Sequence, residues 1–327
     1  MAGEIRWGIL GTGGIAHLQT TDLLKNGFTV TAVGSRTTES AEAFASHFDI
    51  ANSHGSYEDL VADPEVDVIY VATPHPMHHH DALLALNAGK HVLVEKAFTV
   101  NAAEAHEIVD TAERNGLIVM EAMWTRFLPH MIRIREIVAS GLIGDVRTVI
   151  ADHNQFLPKD PLHRINNPEL GGGALLDLGV YPISFAWDML GKPTTIQANS
   201  SKTETEVDRQ TAIIFSYAHG QQAVLHCALD TAGPNTATVI GTKGWIDIES
   251  VFYSPTGFTV YDSDQNVIET FDQEVSQRGM QFQAWEIERR IRDGITPTSV
   301  LTPSETVGIM ESLDEVRRQI GLVYPGE

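Results

Sequence analysis

The sequence predicts an α/β chain in two parts: a doubly wound parallel sheet at the N-terminal side, then an α+β domain with a large, mainly antiparallel open sheet. Three observations lead there. The apolar run Ile5 to Leu10 is closed by a glycine-rich turn that can open a helix. Strand-like runs then alternate with helical spacings as far as about residue 122, and from about residue 196 short alternating runs separated by turn residues replace that rhythm. At 327 residues the chain can form two domains with cores of their own. We draw them at residues 1–122 and 123–327, with the last helix able to pack back on the first domain.

Ile5 to Leu10 reads as a buried strand, and Gly11, Gly13 and Ala16 fall on the spacing G-x-G-x-x-A. The first glycine allows a tight turn, the second lets backbone approach a pyrophosphate, and the alanine lets helix and strand pack closely. The helix N-terminus adds free N–H groups and a positive dipole end. Gly11, Thr12, Gly13, Gly14 and Ile15 are therefore the candidate phosphate cradle of a Rossmann-type nucleotide domain. Gly27 can end that helix, and Phe28 to Gly34 is the second strand. An acid at its end would hold a ribose 2′-hydroxyl, but the chain has Ser35, Arg36 and Thr37 there. A guanidinium with hydroxyls receives a 2′-phosphate, so NADP(H) is expected over NAD(H). The bland alternative is that Arg36 is a solvated loop charge.

Further along come a short helix capped near Ser56, the strand Val66 to Thr73, a helix through Leu83, Leu84 and Leu86 ended by Gly89, and the strand His91 to Glu95. Asn101 with Glu104 forms a capping box, and Leu117 to Glu121 is the next strand. In such a sheet ligands sit at the carboxyl ends of strands, where Thr73 and Pro74, and Glu95 and Lys96, are found. The cluster His75, His78, His79 and His80 has helical spacing, but only Asp81 accompanies it, so no metal is expected. One of these histidines, with His78 taken as the candidate at the cofactor, is expected to fix a loop by hydrogen bonding.

Composition narrows the partners. Lys and Arg total 22 against 43 Asp and Glu, a net charge of −21, which repels nucleic acid and anionic membrane surfaces. The single cysteine, Cys227, cannot form an internal disulfide and reads as a small buried residue in a strand. No signal-like segment or run of about 18 apolar residues occurs. A soluble, unprocessed cytoplasmic protein acting on a small molecule is expected.

The segment Val71-Ala-Thr-Pro-His-Pro-Met-His78, continuing to Ala88-Gly-Lys-His-Val-Leu-Val-Glu-Lys96, resembles the glucose–fructose oxidoreductase and inositol dehydrogenase family. There a Glu-Lys-Pro triplet ends the fifth strand and its lysine lies in the active site. Here the triplet is Glu95-Lys96-Ala97. Without proline a cis peptide is disfavoured, so the bond before Ala97 is expected trans. Glu121-Ala-Met-Trp-Thr-Arg126-Phe-Leu-Pro129 and Pro168-Glu-Leu-Gly-Gly-Gly-Ala-Leu-Leu-Asp-Leu-Gly-Val-Tyr181 are most similar to the dimeric dihydrodiol dehydrogenases and their NADP-dependent sugar (D-xylose) dehydrogenase relatives. The resemblance runs from about residue 5 to 190.

Arg147 to Phe156 reads as a strand entering the second domain, and Ala174 to Leu190 as a helix that places Asp177 and Tyr181 on one face. Gly171 to Gly173 let that helix start close against another surface, for which the nicotinamide is the expectation. Hydride exchange with a carbonyl needs an acid for the forming alkoxide, and the reverse needs a base. A phenol serves once a nearby ammonium favours its phenolate. Tyr181 is thus the candidate proton donor and acceptor, Lys96 its electrostatic partner and Asp177 an orienting group; the resemblance implies the same roles for the lysine and tyrosine. Trp124, Arg126, Phe156 and Arg164 are candidate substrate contacts, since aromatic faces beside polar groups suit a sugar, polyol or cyclic diol; core packing accounts for Trp124 and Phe156 nearly as well.

Short strands follow, among them Thr211 to Tyr217, Gln222 to Leu229, Ala237 to Ile240, Trp245 to Ile248 and Phe258 to Tyr261. Alternation at Ile213/Phe215 and at Val224/His226/Ala228 suggests that both faces of the sheet are used, and the resemblance implies a homodimer through it. Two helices close the chain, one through Met280, Ala284, Ile287 and Ile291, the other opened by the capping box Thr302 to Glu305. The functional expectation is an NADP-dependent oxidoreductase of a sugar, polyol or trans-dihydrodiol. The rival the resemblance allows is a cofactor-sensing regulator without turnover.

Overall fold

A computed structural model describes residues 4–294 and 300–327. The chain divides into two compact units, Met1–Trp124 with Gln277–Val307 and Thr125–Ser276 with Gly308–Glu327.

In the first unit the elements run β1 (Arg6–Leu10), α1 (Gly14–Lys25), β2 (Thr29–Gly34), α2 (Thr38–Phe48), β3 (Asn52–His54), α3 (Tyr57–Ala62), β4 (Val68–Val71), α4 (His78–Asn87), β5 (His91–Glu95), α5 (Ala102–Asn115) and β6 (Val119–Ala122). The strands form one sheet in the order β3-β2-β1-β4-β5-β6, parallel at every pairing. This is the doubly wound order, with its switch point at β1 and β4. The central strands are apolar throughout because helices cover both faces; Val68, Ile69, Tyr70 and Val71 are fully buried, each aliphatic side chain worth about 1.5–3 kcal/mol. Helix α5 shows how local sequence sets an element. Asn101 Oδ1 accepts the Glu104 N–H at 3.0 Å, and Ala105, Ile108 and Ala112 form the buried stripe.

The second unit holds α6 (Pro129–Ser140), β7 (Val146–Asn154), α7 (Val180–Leu190), β8 (Thr195–Lys202), β9 (Asp208–Ser216), β10 (Gln222–Ala228), β11 (Ala237–Gly241), β12 (Gly244–Ile248), β13 (Phe258–Asp262) and β14 (Val267–Phe271). Their eight strands run in the order β14-β13-β12-β11-β7-β10-β9-β8, antiparallel except where β10 meets β7. Two further helices are α8 (Gln281–Arg292), in the first unit, and α9 (Pro303–Ile320), whose residues from Gly308 onward belong to the second. The helix expected from Ala174 begins instead with a π turn, Leu175–Gly179, before α7. Helix α7 covers one face of the sheet at β7 and β10. Ile213 and Phe215 point to that face, whereas Val224 sits on the other, opposite Ile150 and Ile214. Among the described residues no helix is long and apolar enough to cross a membrane.

Candidate active site

At the end of β1 the chain turns at Gly11, with φ +103°, and the Gly11 N–H donates to Gly34 O at 3.0 Å. A side chain there would be strained and would meet Ala72 O at 3.1 Å. Gly13 is the N-cap of α1, no side chain caps that helix, and its first turn holds no acid. A Cβ at Gly13 or Gly14 would meet nothing within 4 Å. A 12-residue helix thus points an uncapped N-terminus over a turn left open by Gly13 and Gly14, as an anionic pyrophosphate requires. Thr12 Oγ1 lies 3.2 Å from Ser35 Oγ, tying this turn to the end of β2. Ser35 is buried, and Arg36 and Thr37 are exposed. Thr37 also caps α2, its hydroxyl oxygen accepting the Ser40 N–H at 3.3 Å, so Arg36 is the cation of this corner. These residues fit an NADP-type dinucleotide.

The ends of β4 and β5 are cross-braced. Thr73 Oγ1 donates to Asp81 at 2.8 Å. The fully buried His78 has its ring nitrogens 2.8 Å from Thr73 O and 2.9 Å from Ala97 O, and burial lowers its pKa. His75 Nε2 lies 3.2 Å from Lys96 O. His79 pairs with Glu107 and His80 with Asp81. The histidine cluster is therefore dispersed among separate partners, and His75 and His78 hold the loop that carries Lys96. Glu95, grouped with the cofactor contacts by sequence, is buried and accepts from Tyr70 Oη and from the Lys96 N–H. The Lys96–Ala97 peptide is cis, where sequence led to trans. The local preference is overridden by tertiary contacts, the two imidazoles at the flanking carbonyls and the complete burial of Ala97.

In the second unit Tyr181 is buried on α7, its ring 5.0 Å from His153 and 5.2 Å from Tyr253. His153 stacks on Tyr253 at 3.7 Å, and Gln155 Nε2 lies 2.8 Å from His153 Nε2. Asp177 accepts from both terminal nitrogens of Arg164, at 3.1–3.2 Å, so two residues assigned to different tasks by sequence are one ion pair. Gly172 and Gly173, before this helix, pack on protein. A Cβ at Gly172 would lie 2.7 Å from Ile165 O, and one at Gly173, φ +118°, would lie 2.1 Å from Asp208 Oδ1. This corrects the expected close approach to nicotinamide: the turn at 164–167 and a buried carboxylate fill that space.

The remaining substrate candidates have three different surroundings. Trp124 is buried in the first unit under the Arg278 guanidinium, 5.6 Å away. Arg126 is buried in the second, donating to Ser184 O at 2.6 Å and facing Asp188 at 3.5 Å. Phe156 is 70% exposed, with the Lys159 ammonium 5.5 Å from its ring. Sequence reading missed His153, Gln155, Tyr253, Asp208 and Tyr324. Only His153 and Gln155 lay inside a predicted element, and strand alternation alone does not mark a histidine as an aromatic partner. Cys227 is buried with Ile165, Ala174, Leu178 and Leu229, and burial pushes its thiol pKa well up.

A six-stranded parallel sheet with an open glycine turn and an uncapped helix at its switch point defines a dinucleotide-dependent enzyme unit. Residues 5–123 match the GFO/IDH/MocA oxidoreductase family with its NAD-binding Rossmann fold, and residues 131–247 match the GFO/IDH/MocA C-terminal domain. The chain belongs to this oxidoreductase family. It is 38% identical to D-xylose 1-dehydrogenase (NADP(+)) of Hypocrea jecorina, covering 98% of this chain and 93% of that one. It is 37% identical to trans-1,2-dihydrobenzene-1,2-diol dehydrogenase of Mus musculus, covering 98% of each. Among solved structures, KijD10, a 3-ketoreductase from Actinomadura kijaniata in complex with NADP and TDP-benzene, superposes with a TM-score of 0.85 at 26% identity, covering 97% of this chain and 98% of that one.

Proposed function

We propose that the protein is an NADP-dependent dehydrogenase acting on a CH–OH group of a sugar, polyol or trans-dihydrodiol. The observation that carries this reading is the presence of Lys96 and Tyr181 in a chain alike over 98% of its length to a sugar dehydrogenase and a diol dehydrogenase. When bound, the cofactor accepts or supplies the hydride. Gly11 to Ile15 receive the pyrophosphate, and Arg36 with Ser35 receives the 2′-phosphate. Tyr181 takes the hydroxyl proton in oxidation and returns it in reduction. Lys96 supplies the positive charge that favours its phenolate. Asp177 keeps an orienting role through its Arg164 pair. The two domains are assigned as cofactor-binding and substrate-binding, and the cytoplasm is the assigned compartment.

We assign a homodimer to the uncovered sheet face. Ile150, Val224 and Ile214 lie side by side across β7, β10 and β9 and are 40–44% exposed, an apolar row suited to a second copy. Fluorescence titration with NADPH and NADH, followed by NADP reduction against D-xylose, hexoses, inositols and cyclic diols, tests the function. Tight NADPH binding with turnover of one panel member is expected. Binding without any turnover would overturn the enzymatic reading in favour of a cofactor sensor, and an NADH preference would overturn the role of Arg36.

A further inference from the structure

The helix bearing Tyr181 is gripped at both ends by one stretch of chain. Near its C-terminal end a Cβ at Gly308 of α9 would lie 2.4 Å from Trp187 Cη2, so α9 lies directly on that indole. Trp187 Nε1 donates to Ser312 Oγ at 3.1 Å, and Ser312 in turn donates to Gly308 O at 2.9 Å. Beyond α9 the chain turns back at Gly321, and Tyr324 Oη donates to Gly172 O at 2.8 Å, in the glycine turn before the π turn. Tyr324 is itself fixed. The Arg317 guanidinium lies 5.3 Å from its ring centroid, Arg317 pairs with Glu327 and Asp314, and the Tyr324 N–H donates to Glu327 at 2.9 Å. Burial raises the phenol's pKa well above its ordinary value, so it stays a donor.

Asp208 holds the other side of the same turn. Its Oδ2 accepts the Leu175 N–H at 2.8 Å and the Thr211 hydroxyl at 3.0 Å. Leu175 begins the π turn, and Tyr181 stands six residues on. Every residue from Gly171 to Trp187 is buried, so this stretch is packed on all sides and has no solvated face to set its rotation. Apolar contact is not directional, whereas a hydrogen bond to one carbonyl or one N–H is.

We propose that residues 308–327 and Asp208 form a clamp that positions Tyr181, with Tyr324 and Asp208 as its positioning residues on the Gly171–Gly173 turn. This rests on the reading of Tyr181 as proton donor and acceptor. A misplacement of about 1 Å in a reacting group costs about 100-fold in rate, so a small slip of the turn is felt at the phenol.

The test is Tyr324→Phe, which deletes one hydroxyl and keeps the ring under Arg317, with Glu327→Gln as a second, milder variant. Amide hydrogen exchange of Leu175 to Tyr181 is expected to quicken about tenfold in Tyr324→Phe, with β11 to β14 unchanged. With NADP and D-xylose, kcat is expected to fall about tenfold while the KM for NADP stays within about twofold. Unchanged exchange at Leu175 to Tyr181 in both variants overturns the clamp, and so does quickened exchange with full kcat. Tyr181→Phe measured alongside separates the two readings. Full turnover there removes the Tyr181 assignment itself, whereas lost turnover there with Tyr324→Phe unaffected overturns only the clamp.

Discussion

Replacing Asp208 with asparagine should change how stability depends on pH, in a direction that the structure dictates. The carboxyl is fully buried, and burial pushes its pKa from 3.8 up to about 7 despite hydrogen bonds from Thr211 and Leu175. A raised pKa means that the folded chain holds the proton more tightly than the unfolded one. This contribution to stability is therefore whole below about pH 3.8 and is lost as pH rises through about 7. At about 1.4 kcal/mol per pH unit, the interval from 3.8 to about 7 amounts to about 4 kcal/mol, of which about 3 falls between pH 5 and 8. Asparagine resembles the protonated acid and does not titrate. Buried His130, lowered to about 4, contributes with the opposite sign, its stability growing up to about pH 6.5, but it is common to both proteins. Urea unfolding of wild type and D208N at pH 5, 6, 7 and 8 isolates the difference. Wild type should lose about 3 kcal/mol more than the variant across that range. Parallel profiles would refute the assignment of a buried, proton-holding carboxyl to this position.

Gly13→Ala should leave stability within about 1 kcal/mol, because its Cβ meets nothing within 4 Å, yet raise the NADPH Kd at least about tenfold; thermal melts beside a fluorescence titration check both halves. Arg36→Glu should weaken NADPH by about 100-fold and NADH by less than about threefold, read by the same titration, since a charge-assisted contact to phosphate is exchanged for repulsion. Tyr181→Phe should lower kcat by about 100-fold to 10,000-fold with the NADPH Kd unchanged, measured by stopped-flow turnover and binding. Val224→Glu places a charge in the row with Ile150 and Ile214 and should yield monomers by light scattering; a wild type already monomeric at micromolar concentration would remove the dimer.

What sequence disclosed were features written over a few neighbouring residues. The strand His91–Glu95 was bounded correctly because apolar residues run between Gly89 and the charged pair Glu95 and Lys96. Asn101 and Ser56 act as the expected caps, and Thr302 Oγ1 accepts the Glu305 N–H at 3.1 Å. Val66 to Thr73 is too long a reading, since β4 spans only Val68–Val71, while the apolar pattern runs past it on both sides to Val66 and Ala72. Features set by distant partners were not legible. Asp177 and Arg164 are 13 residues apart, Gly172 and Tyr324 152 apart, and Leu175 and Asp208 33 apart. No periodicity carries such pairings. The cis bond before Ala97 belongs with them, since both histidines at its carbonyls come from the preceding βα turn.

The second unit places its buried polar and charged groups where they define one helix. Arg126 and Arg135 converge on Asp188 of α7, Asp208 takes the first N–H of the π turn, and Tyr324 reaches the turn before it under the Arg317–Glu327 pair. Buried ion pairs are poor sources of net stability, because desolvation offsets their attraction. Their use here lies in direction. A helix reading Val180-Tyr-Pro-Ile-Ser-Phe-Ala-Trp-Asp-Met-Leu190 would be equally well buried after a rotation or a slide along its axis, as far as apolar area is concerned. Fixed polar partners at its start, along its length and near its end remove those alternatives. The residue whose placement this determines is Tyr181, and the proton-donor role proposed for it tolerates little error in the direction of its hydroxyl. The stability lost in burying these polar and charged groups is then the physical cost of orienting one phenol.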